Sequence, residues 1–123
     1  MRLLLDTHVL VWWAEDDLRP EAEAAIVDET NELIVSAATI WEAKIKEASG
    51  KLRIPVDLVS AARERGVSEL SITWPHAVKA AGLPPHHGDP FDRMLIAQAL
   101  AEGLTLVTRD AVFERYDVPL LRA

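Results

Sequence analysis

Short apolar runs that stop abruptly on acids are what most restrict how this chain can fold. Arg2-Leu3-Leu4-Leu5 ends at Asp6-Thr7, and the run at 104–108 ends just before Asp110. Runs so short and so apolar read as strands buried on both faces, the habit of parallel sheets. Residues 32–35 read as a further buried strand and 68–72 as a shorter one. Residues 118–121 read as an edge strand, with Pro119 marking it as peripheral. Between them the spacing turns helical: at 9–14, from Pro20 through Val27 with Asn31 closing it, at 40–48 behind caps from Ser36 to Thr39, and from Pro55 and Asp57 to near Gly66. Two more helices start at Thr73-Trp74-Pro75 and at Asp89-Pro90, and a helical turn follows Asp110. Strands alternating with helices predict an α/β fold, a mostly parallel sheet of 4–5 strands flanked by helices. All 123 residues are expected to form one domain, since the chain is too short for two ordinary ones.

In an open parallel sheet the functional crevice lies beyond the carboxyl ends of the strands. Asp6 and Asp110 both stand there. Asp89 as N-cap and Pro90 at the first helical position make a strong helix start. A helical period then runs through Asp92, Leu95, Ile96 and Ala99. Asp92 therefore heads a buried stripe, where an unpaired carboxylate is costly. Its helix leads into the strand at 104–108, so its start lies at the same rim. Glu42 is the fourth acid, bordering an apolar stripe of Trp41, Ile45 and Ala48 in mid-helix. Plain structural readings exist for each: caps or turns for Asp6, Asp92 and Asp110, and a pair with Lys46 four residues on for Glu42. Four such coincidences on one rim point instead to shared chemistry.

Carboxylates gathered without matching Lys or Arg repel one another and raise their own pKa values. A hard divalent cation relieves this, and oxygen-only donors select Mg²⁺ or Mn²⁺ over zinc. Mg²⁺ bridges readily to substrate phosphate, so the implied reaction is phosphoryl transfer to water. Bulk electrostatics would not have suggested it. Thirteen Lys and Arg against 20 Asp and Glu give a net charge of −7, the wrong sign for holding a polyanion through broad basic patches. That charge suits a basic protein partner. With no cysteine, disulfides and thiolate metal sites are excluded, and a reducing, cytoplasmic location is expected. No run is long enough to cross a membrane, and the start does not read as a signal peptide.

The residues Leu3-Leu4-Leu5-Asp6-Thr7-His8, Ile40-Trp41-Glu42, Asp89-Pro90-Phe91-Asp92-Arg93-Met94-Leu95-Ile96-Ala97-Gln98-Ala99 and Leu106-Val107-Thr108-Arg109-Asp110 resemble the PIN domain, and within it the VapC-type toxins of toxin–antitoxin systems. The resemblance spans essentially the whole chain, and the Asp-Pro-Phe-Asp-Arg block is its most specific part. It implies a metal-dependent endoribonuclease held in check by a small antitoxin that usually also binds DNA. Carried over by position, Asp6, Glu42 and Asp92 match the family's three central acids, and Asp110 its more variable fourth. Asp89 belongs to a subset of members and reads here as the N-cap, with a supporting part in the site. Thr7 and Thr108 are placed to orient the acids or bind phosphate.

Other residues stay open between structure and RNA. Lys44, Lys46, Lys51 and Arg53 form the local basic concentration, either a solvated helix face or a backbone contact, and Arg93 is a further candidate contact. His8, His76, His86 and His87 lack zinc spacing and read as surface or loop histidines. Trp12, Trp13 and Trp41 read as packing rather than base stacking. Leu10, Trp12 and Trp13 exceed what one face of a short helix buries, which predicts a covering chain. The expected partners are an antitoxin with a basic, partly disordered tail and a second copy in a homodimer. Two alternatives remain: an inactive PIN-fold interaction module, and a haloacid-dehalogenase-like phosphatase using Asp6. The second wants another aspartate two residues on, where His8 stands.

Overall fold

The leucines of the first strand sit at the centre of everything else. The computed structural model describes residues 1–54 and 56–123. Among them, β1 (Arg2–Leu5), β2 (Glu32–Ser36), β3 (Ser68–Leu70), β4 (Thr105–Thr108) and β5 (Leu120–Arg122) form one sheet in the order β3-β2-β1-β4-β5. Every pairing is parallel, and Leu4 lies between Ile34 and Leu106. A strand this short survives because Leu3, Leu4 and Leu5 are fully buried. Each such side chain contributes roughly 1.5–3 kcal/mol, enough to offset the ordering of its backbone.

Alternation along the strands divides the core in two. Leu3, Leu5 and Val107 face α1 (Thr7–Ala14), α2 (Pro20–Val27), α3 (Ala37–Ala48) and α4 (Leu58–Glu64), meeting Val9, Ile26, Ala43 and Leu58. Leu4, Ile34 and Leu106 face the other way, onto Leu95, Ile96 and Ala99 of α6 (Pro90–Glu102) and onto Phe113 in a 3-10 helix at Ala111–Arg115. The remaining helix, α5 (Trp74–Ala81), packs along α6.

Several boundaries move, each for a local reason. Helix α1 starts at Thr7 because the Asp6 carboxylate accepts the Thr7 N–H at 2.6 Å. Helix α3 starts at Ala37 because the Ser36 hydroxyl accepts the Ala38 N–H. Asn31 does not close α2, which ends at Asp28; its amide donates back to the Ala25 carbonyl instead. Asp57 caps α4 by accepting from Ser60, while the expectation placed on Pro55 lies outside the described residues. The edge strand lies at Leu120–Arg122, just after Pro119.

One expectation about faces is overturned. On α3 the stripe of Trp41 and Ile45 points outward, at 61% and 45% exposed, and the buried face is Ala38, Thr39, Glu42 and Ala43. Glu42 thus lies inside the buried face, not at its border. On α1, Leu10, Trp12 and Trp13 are used by this chain itself. Leu10 is buried in the core, while Arg109 lies 3.6 Å over the Trp12 ring and Arg65 4.3 Å over Trp13. Each indole is thus partly covered by a guanidinium group of this chain.

Candidate metal centre

The parallel order brings three carboxylates together at the carboxyl rim. Asp6 leaves β1 with its N–H donated to the Val107 carbonyl of β4 at 3.0 Å, which fixes the direction of its side chain. One carboxylate oxygen caps α1, and the other accepts the Thr108 hydroxyl at 2.9 Å. Glu42 comes from the second turn of α3 and accepts the Thr7 hydroxyl at 2.5 Å. Asp92 enters from the first turn of α6, its N–H held by Asp89 at 3.0 Å. One oxygen from each of Asp6, Glu42 and Asp92 lies within 4.8 Å of the others.

Asp110 stands at the same rim but outside this triad. It is exposed and caps the 3-10 helix by accepting from Val112, while its N–H donates to Thr108. Its side chain instead meets Asp92 and His87, again within 4.8 Å. Asp92 is therefore common to both groups. The part of His87 is what sequence reasoning missed: its Nε2 lies 2.7 Å from Asp92. Its position five residues before Asp92, in the loop leading to the helix cap, is the signal that was available.

Burial and crowding set the electrostatics. Asp6 is 7% exposed, and loss of hydration raises its pKa against the opposing hydrogen bonds from Thr108 and Thr7. Asp92 is pushed up to about 7, chiefly by burial, with Asp6, Asp89 and Glu42 adding like charge and His87 pulling the other way. Lys46 Nζ lies 3.1 Å from Glu42. Burial works against its charge, yet Glu42, Asp89 and Asp92 together hold its pKa above the ordinary value.

These groups line an open cleft of about 500 Å³, together with His8, Trp12 and Arg109. A more apolar groove of about 370 Å³ lies elsewhere, between Val35, Ile40, Trp41, Val59 and Val67, and holds no acid cluster. The donor set in the cleft suits a hard divalent cation: clustered carboxylate oxygens, with Asp6 and Glu42 buried and Asp92 half-buried.

The two other basic candidates are placed differently from Lys46. Lys44 lies at the surface, 3.5 Å from Glu47. Arg93 donates to the carbonyls of Pro84, His87, Ala80 and Leu83, so its guanidinium is committed to the backbone between α5 and α6. Arg93→Ala should leave these carbonyls without their charged donor and cost about 2–4 kcal/mol of unfolding free energy in urea titration. A phosphate-binding role alone would leave that free energy unchanged.

A PIN-domain sequence profile matches residues 3–119. The chain belongs to the PIN-domain family. Among relatives of this PIN domain is Ribonuclease VapC22 of Mycobacterium tuberculosis, 30% identical over 112 residues that cover 88% of this chain and 86% of the relative. Solved structures of similar fold include DNA-bound VapBC from Salmonella typhimurium, at 18% identity and a TM-score of 0.71, covering 99% of this chain and 98% of that one. VapBC2 from Rickettsia felis, bound to a promoter DNA fragment, has 15% identity and a TM-score of 0.66, with the same coverage. At such identities the likeness to this PIN domain is one of fold.

Proposed function

We propose that this chain is a divalent-metal-dependent endoribonuclease, the toxin of a toxin–antitoxin pair, hydrolysing RNA phosphodiester bonds in the acidic cleft. The observation that carries the reading is the triad of Asp6, Glu42 and Asp92, delivered from three segments to within 4.8 Å. In this reading Asp6, Glu42 and Asp92 would hold Mg²⁺ or Mn²⁺, and Asp110, which meets Asp92 at the rim, would add a fourth carboxylate to the set. The ion supplies Lewis-acid activation of water and offsets charge on the scissile phosphate. Thr7 and Thr108 keep Glu42 and Asp6 turned inward by donating to them. Asp89 positions Asp92 through its backbone, and His87 pairs with one oxygen of Asp92, Oδ2. Of Lys44, Lys46 and Arg93, the RNA contact is assigned in this reading to Lys46, which lines the cleft.

The whole chain, 1–123, is read as a single domain working in the cytoplasm; no helix among the described residues is long and apolar enough to cross a membrane. The net charge of −7 and the acid cleft favour a basic antitoxin tail as the inhibitor, and the exposed Trp41, Ile45, Trp74 and Val78 favour a homodimer. One experiment tests the set. Purified protein with Mn²⁺ should cleave single-stranded RNA, run as a dimer by light scattering, and stop cleaving when the product of the adjoining upstream reading frame is added. A protein that leaves every RNA intact at micromolar concentration would remove the nuclease reading.

A further inference from the structure

Both oxygens of Glu42 already have partners. Oε1 accepts the Thr7 hydroxyl and Oε2 lies 3.1 Å from the Lys46 ammonium. The pair differs from an ordinary surface pair four residues apart on a helix. The Glu42 side chain is only 4% exposed and that of Lys46 32%, so the carboxylate has given up nearly all of its water. A desolvated carboxylate depends on its counter-charge far more than a solvated one. The other cation lining the cleft, Arg109, is engaged elsewhere: it donates to the Ala123 and Asp17 carbonyls and lies over Trp12.

We propose that Lys46 is a built-in counter-cation of the acid cluster, and that a divalent ion binds by displacing its ammonium from Glu42. The idea rests on the metal-dependent reading above. An ammonium and a divalent ion repel strongly at such separations, so the two compete for the Glu42 carboxylate. Metal binding is then an exchange of cations rather than the filling of an empty negative hole. It follows that the metal-free cluster, with part of its charge neutralised from within, holds its shape, and that the apparent metal affinity is set below what the carboxylates alone would give. Lys46 acts on the ion through Glu42, so it is a positioning residue.

The test is calorimetric titration of the intact protein with Mn²⁺ alone, with no RNA present. Lys46→Met keeps the length of the stem and removes the charge. It should bind Mn²⁺ roughly tenfold more tightly than wild type, a modest fraction of the full Coulomb interaction because the cleft is open to water. Lys46→Arg, which restores the charge, should return the affinity towards wild type. In chelator, Lys46→Met should melt below wild type, and saturating Mn²⁺ should close that gap. Lys46→Gln is titrated alongside, so the comparison stands if the methionine variant fails to fold. Wild-type binding with equal or weaker affinity in the neutral variants overturns the exchange while leaving the metal site intact. No Mn²⁺ binding by wild type or by any variant overturns the metal reading, and the exchange with it.

Discussion

Asp92→Asn should abolish RNA cleavage, a loss of roughly a thousandfold or more, while the metal-free protein becomes harder to melt at pH 8. The two halves of this result have one cause. Burial and neighbouring acids push the Asp92 carboxyl from 3.8 up to about 7 in the folded chain. Between those values the folded state holds a proton that the unfolded state has released, so wild-type stability falls as pH rises through that interval. Above it the folded protein carries a carboxylate it would rather protonate. Asparagine removes that penalty and still offers an oxygen to His87. Asp6→Asn should act in the same direction, since burial raises that pKa too. The checks are single-turnover cleavage and thermal melts in chelator from pH 4 to 8. A lower melting temperature at pH 8 with cleavage retained would reduce Asp92 to a helix-capping residue.

The second large effect is the response to metal. Cleavage should vanish in EDTA and return with Mn²⁺ or Mg²⁺, and robust activity in chelator would end the metal mechanism. The ion should also stabilise the fold, by about 2.7 kcal/mol at a free concentration a hundred times its dissociation constant. Metal must displace the Asp92 proton below about 7, so affinity should weaken towards tenfold per unit as pH falls beneath that point, and level off above it. Mn²⁺ titrations at several pH values read this directly. A flat affinity across pH 5.5 to 8 would mean that Asp92 is no ligand, whatever the fate of cleavage in EDTA.

Much of this was legible in the chain itself. Three consecutive leucines ending at Asp6, and an apolar run ending at Thr108, are enough to declare parallel strands with acids at their carboxyl ends. Asp89-Pro90 announces the start of α6 and so the height of Asp92 along the sheet. These are local signals: periodicity, caps and chain breaks, each carried by a few adjacent residues. The rim arrangement follows from them by topology alone.

What only the tertiary structure decided concerns which face and which partner. Nothing in the spacing of α3 distinguishes a stripe of Trp41 and Ile45 from a stripe of Ala38, Thr39, Glu42 and Ala43. The larger side chains make the first stripe the better guess. The close approach of α3 to α1 and α6 selects the second, because small residues let helices come near and Glu42 then meets Thr7 of α1. Arg93 offers the same lesson. A basic residue beside an acid cluster reads as a phosphate ligand until the chain between α5 and α6 folds back and presents four carbonyls to it. His87 meets Asp92 because that same loop returns over the rim. Secondary structure is written in short-range preference, but which side chains are buried, and which distant hydroxyls meet the buried acids, depends on segments far apart in sequence: Thr7 reaches Glu42 and Thr108 reaches Asp6. Burial makes leaving such an acid without a partner costly, and so the folded chain decides it.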